Sequence, residues 1–164
     1  MNKFLIDTHI QQIFGGISTL TSAYPSHAVP ILVLVYSAID QLSWLVADEE
    51  KHGPDDFKAW VNKYLNPEQT LNCTADQMWA ARNGILHMGT AESVNTRKGV
   101  KKICYFIGRT QVPKHDDYIY VDLSRLIDKF MRGAMEFNVE IKNSERCALA
   151  ERKLQNVLLL CGVE

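Results

Sequence analysis

Apolar positions recur at helical spacing through most of this chain. Phe4, Ile6, Ile10, Ile13, Phe14, Ile17 and Leu20 predict a first helix over residues 3–22, with Gly15-Gly16 as a candidate kink. Tyr24-Pro25-Ser26 breaks it. A second helix is expected from about Ala28 to Asp48, with Pro30 tolerated in its first turn. Ile31 to Val46 is apolar on nearly every face, which predicts a central buried helix. Asp40 and Gln41 are the polar exceptions in it. A buried carboxylate is costly unless paired, so Asp40 needs a partner, and Arg82 is a candidate. Pro54 fits the first position of a third helix, whose stripe is Phe57, Trp60, Val61, Tyr64 and Leu65 and whose end is Asn66-Pro67.

The stretch Thr74 to Gly89 predicts a fourth helix. Thr74 and Gln77 fit a capping box, and Gly89 suits the closing left-handed residue. Met78, Ala81, Ile85 and Met88 share one side; Asn83 and His87, four apart, share the other, flanked by Ala80 and Gly84. A mid-helix glycine costs up to about 1 kcal/mol relative to alanine, so Gly84 implies close approach by another element. Val100 to Ile107 and Tyr118 to Leu123 then read as two strands of a β-hairpin. Asp122 is a good N-cap for a long helix to about Lys142, with Leu123, Leu126, Ile127, Phe130, Met131, Ala134 and Phe137 as its buried stripe, and Ser144 starts a last helix through Leu160. The expected fold is mostly α, an antiparallel helical bundle with a small β-hairpin before the long helix.

At 164 residues the chain suits one domain spanning 1–164, with 46% hydrophobic and 23% charged residues. No cleavable signal is expected, since only Phe4-Leu5-Ile6 separates Lys3 from Asp7. The longest apolar run, Val29 to Tyr36, is short for a membrane span. Cys73, Cys104, Cys147 and Cys161 lack C-x-x-C spacing, so reduced thiols in the cytoplasm are expected and a zinc site is not. Charge is uneven: residues 1–92 sum to −5, residues 93–115 to +6 and residues 116–164 to −2. The basic block, with Arg97, Lys98, Lys101, Lys102, Arg109 and Lys114, is the candidate footprint for a polyanion; the simpler account is a solvated loop and strand. No nucleophile elbow, Gly-rich phosphate loop or HExxH motif is present, which argues against an ordinary hydrolase.

Three segments together resemble the HEPN superfamily of small helical domains. They are Tyr36-Ser-Ala-Ile-Asp40-Gln-Leu-Ser-Trp-Leu45, Phe57-Lys-Ala-Trp-Val-Asn-Lys-Tyr-Leu65 and Arg82-Asn-Gly-Ile-Leu-His87. The last matches that family's R-x4–6-H motif. Arg109 to His115 also fits that motif, as R-x5-H, but Pro113 argues against a helix there. The resemblance implies a bundle of HEPN type. Many members are metal-independent endoribonucleases of toxin–antitoxin or phage-defence systems, and others keep the fold as non-catalytic modules binding a nucleotide, RNA or protein.

On the first implication Arg82, Asn83 and His87 are the catalytic candidates, Asp40 supports them, and Arg97, Lys98, Lys101 and Lys102 bind RNA. No cofactor or metal is implied. Members commonly pair so that two motifs share one cleft. Here the Ala80/Gly84/Asn83/His87 face is the expected homodimer contact. Any antitoxin or regulator would be a separate chain. Phe57, Trp60 and Tyr64 are expected in the core, and His9, His27, His52 and His115 on the surface.

Overall fold

The computed structural model describes residues 5–23, 27–48, 52–88, 99–108 and 115–155. Among these, six helices and one pair of strands pack around a single buried cluster. α1 spans Leu5–Ser22 and runs unbroken through Gly15-Gly16. A Cβ on Gly16 would lie 3.0 Å from the Leu34 side chain of α2, so that glycine permits a close helix approach. α2, Ala28–Val46, is the central helix, touching α1 and four other elements. Ile31, Val35, Tyr36, Ile39, Leu42 and Leu45 are all fully buried on it. By length and composition α2 is apolar enough to cross a membrane, but it carries the paired Asp40 and spends those side chains on this chain's own core.

α3, Pro54–Trp60, begins with proline at its first position, and the Gly53 amide donates to Asp56 Oδ2 at 2.9 Å. It runs into a π-helical turn, Val61–Leu65, closed by the Asn66 amide on the Val61 carbonyl at 2.8 Å. The Asn66 side chain, itself buried, then holds the Cys73 carbonyl (3.0 Å) and the Leu71 amide (3.1 Å), fixing the linker to the next helix.

α4, Ala75–Asn83, has the expected capping box: Thr74 Oγ1 accepts from the Gln77 amide at 3.3 Å, and the Thr74 amide donates to Gln77 Oε1 at 2.8 Å. Its continuation Gly84–Met88 is again π-helical and packs on α2. The expected closing Gly89 lies outside the described residues, as do the 24–26 break, Arg109, Pro113, Lys114, Cys161 and the end of the last helix.

The strands correct the sequence reading. β1 (Lys102–Phe106) and β2 (Tyr118–Asp122) run parallel, with Lys102 opposite Tyr118 and Phe106 opposite Asp122, so they are not a β-hairpin. Parallel pairing requires the chain to return to the same end of the pair between Phe106 and Tyr118, which a tight hairpin turn cannot do. The Tyr105 hydroxyl meets that of Tyr36 in a short hydrogen bond, which anchors β1 to α2. Burial pushes both phenols well above their ordinary range.

α5, Leu123–Lys142, starts at Asp122, whose Oδ1 accepts from the Ser124 amide at 2.9 Å. Its Gly133 sits against the π turn after α3: a Cβ there would fall 2.4 Å from the Tyr64 carbonyl oxygen. α6, Cys147–Gln155, ties two other helix ends. Glu151 accepts from the Leu5 and Ile6 amides at the start of α1 (2.9 and 3.1 Å). Lys153, buried, donates to the Trp44 and Ala47 carbonyls at the end of α2 (2.6 and 2.7 Å). Both charges have the sign that the helix dipoles favour.

Candidate functional site

Arg82 is the hub of a polar cluster where α2 meets α4. Its Nε donates to Asp40 Oδ2 at 2.7 Å, and Nη2 makes a second, shorter bond to the same oxygen. The pair is mostly enclosed, with side-chain exposures of 17% and 15%, so it is held in a medium that screens charge weakly. The guanidinium also lies 5.0 Å from the Trp79 ring centroid, and that ring packs edge-on against Phe57. Nη1 points the other way, donating to Asn83 Oδ1 at 3.0 Å and meeting His87 Nε2 at 2.8 Å. A guanidinium only donates, so Nε2 is the acceptor, and a neutral ring carries its proton on Nδ1. Four contacts therefore fix Arg82, and one Nη2 proton is left over.

The π-helical segment explains how Arg82 reaches His87. In a regular α-helix five residues turn through about 500°, which would put the two side chains roughly 140° apart. The i→i+5 winding of Gly84–Met88 brings positions five apart closer to alignment. Asn83 is half-buried and His87 exposed on this face, whereas Ala80 and Gly84 are buried inside the chain. The small residues are thus accounted for by packing within one copy, Gly84 in the turn that packs on α2. Of the face expected to meet a second copy, Asn83 and His87 are the residues that reach the surface.

Beside the pair lies an open recess of about 250 Å³ lined by Asp40, Gln41, Trp44, His52 and Arg82. His52 was expected on the surface without a partner. It is exposed, but its Nε2 is 3.1 Å from Ser43 Oγ, and Ser43 is fully buried. The charged turn around His52 gave no periodicity by which to place it. His9, also expected on the surface, is half-buried on α1; burial lowers its pKa, opposed by a weaker side-chain hydrogen bond to Gln41, and its Nε2 is an enclosed nitrogen without a partner. Phe57 and Trp60 are core, with Tyr64 packed on it.

Of the basic candidates, Arg97 and Lys98 lie outside the described residues. Lys101 and Lys102 line a different depression, with Gly99, Val100, His115, Asp117 and Tyr118, and neither lines the Arg82 recess. Among the described residues no group of three or more His, Cys, Asp or Glu side chains is placed to hold a metal ion. No protein-family model matches this chain, and no curated protein or solved structure matches it either.

Proposed function

We propose that this chain is an antiparallel bundle of HEPN type that pairs with a second copy and cleaves RNA without a metal, in a cytoplasmic toxin–antitoxin or phage-defence setting. The observation that carries the reading is the Arg82 hub: a guanidinium braced by Asp40 with its Nη1 directed at Asn83 and His87. Positioned positive charge and a histidine are what metal-free RNA cleavage needs. A base removes the 2′-OH proton, O2′ bonds to phosphorus, the bond from phosphorus to O5′ breaks, and an acid protonates O5′. Arg82 stabilises the phosphorane charge from its remaining Nη2 proton and from Nη1. A phosphate that takes Nη1 releases His87 Nε2, which then picks up a proton and serves as the acid. Asn83 Oδ1 is taken by Arg82, so Nδ2 is its donor to phosphate. Two-fold pairing through the Asn83/His87 rim would set two such sites in one cleft, and Lys101, Lys102, Arg97 and Lys98 are proposed to attract RNA to the chain from outside the Arg82 recess.

The test is cleavage of single-stranded RNA in EDTA by wild type and by His87→Ala. The expected result is cutting that falls at least about 100-fold in the variant. A second reading, a non-catalytic HEPN-like module, is favoured by one observation: both Nη1 protons are already engaged inside the chain. Tight RNA or nucleotide binding with no cutting would select it.

A further inference from the structure

We propose that His52 is the general base of this site, acting in the same chain as His87. The inference rests on the ribonuclease reading above and supplies the second proton-transfer group which that reading needs. His52 and Arg82 line one recess together with Asp40, the ion-pair partner of Arg82. The orientation of the His52 ring follows from the buried hydroxyl behind it. Ser43 Oγ donates its only proton to the Asp40 carbonyl at 3.0 Å. Toward His52 that oxygen can therefore only accept, so Nε2 at 3.1 Å carries the proton. The lone pair of the neutral ring is then on Nδ1, the nitrogen not tied to Ser43. A histidine held through one nitrogen by a fixed group, with the other nitrogen unprotonated, is the arrangement a general base requires.

The two histidines differ in what holds them. His52 is tied to a hydroxyl and keeps its lone pair on Nδ1, whereas the Nε2 lone pair of His87 accepts from Arg82, so His87 serves as the acid once the phosphate takes that donor and Nε2 binds a proton. In the step, His52 Nδ1 takes the 2′-OH proton as O2′ bonds to phosphorus. The bond to O5′ breaks with its electron pair on oxygen, and protonated His87 delivers a proton to it. His52 ends protonated and His87 neutral, and exchange with water restores both. A second copy of the chain then widens the groove for RNA without having to donate its own histidine to this site.

The experiment compares wild type, His52→Ala, His52→Asn and His87→Ala on one RNA and on the same RNA carrying sulfur in place of the scissile O5′. Sulfur leaves without a proton, so it bypasses the acid and not the base. Both His52 variants are expected to lose about 10²–10³-fold in kcat with little change in KM or melting temperature, and to stay slow on the thio substrate. His87→Ala is expected to recover there. Mixing His52→Ala with His87→Ala chains is expected to give no activity. Wild-type rates in the His52 variants, recovery of those variants on the thio substrate, or activity restored by mixing would overturn the inference and leave the ribonuclease reading standing. No cutting by wild type would overturn both.

Discussion

Arg82 is the centre of the polar cluster at the level of single residues, and its dependence on Asp40 can be measured. Removing the carboxylate leaves a mostly enclosed guanidinium short of its main partner. Breaking a fully buried pair costs roughly 3–5 kcal/mol; some solvent reaches this one, so Asp40→Ala should cost about 2–3 kcal/mol in urea unfolding. Replacing both members, Asp40→Leu with Arg82→Met, should recover most of that stability and none of the RNA cleavage, which separates the structural role of the pair from its role in the site. His9 gives a pH signature. Its folded pKa lies below the value of 6.5 that it has when exposed, because burial disfavours the charged ring. The unfolded chain therefore binds the proton first as pH falls. Stability from this group is complete above about pH 6.5 and declines below it, towards the lowered folded value. Urea midpoints should show that decline, and His9→Phe should flatten it. The sequence made the need for an Asp40 partner legible, because an acid amid Ile31 to Val46 has to be compensated. It did not reveal His52 or Lys153, whose partners are a hydroxyl and carbonyls on α2 that only the packed chain brings near.

At the scale of elements, hydrophobic spacing located the helices and chain direction escaped it. A period of two marks a strand but carries no information on whether its neighbour runs with it or against it, and the sequence between the strands is turn-rich enough to suit a hairpin. The π-helical ends of α3 and α4 were equally hidden, since they shift facing by part of a turn within five residues. Their consequences are open to test. Gly133→Ala would drive a Cβ into the Tyr64 carbonyl, and the backbone cannot yield as a side-chain tip would. It should destabilise by about 1–3 kcal/mol in thermal or urea melts. Lys153→Met strips the Trp44 and Ala47 carbonyls of their donor and takes an ammonium from above the Trp44 ring, 4.9 Å from its centroid. A loss of about 1–3 kcal/mol is expected. Because Trp44 also walls the recess, the proposed RNA cleavage should weaken in the folded variant.

Over the whole molecule, the buried cluster gathers all six helices, and the Arg82 site lies at its edge with His87 exposed. Ala80 and Gly84 are buried within one copy, and on a helix wheel small residues read the same whether their neighbour belongs to this chain or to another. The proposed pairing rests on the rim that remains. Sedimentation should find a dimer at micromolar concentration, and Asn83→Glu, which puts like charges together across a two-fold axis, should shift it toward monomer. A monomer at every concentration would remove the shared cleft. The central claim is that Arg82 and His87 serve attack by a ribose hydroxyl. Its most direct measurement uses a single-stranded oligonucleotide that wild type cuts in EDTA, compared with the same oligonucleotide carrying one 2′-deoxy substitution at the cut position. Cutting only where the 2′-OH is present, leaving a 2′,3′-cyclic phosphate and a 5′-hydroxyl, is the predicted result. Cutting at the deoxy position, or products with a 5′-phosphate, would contradict it.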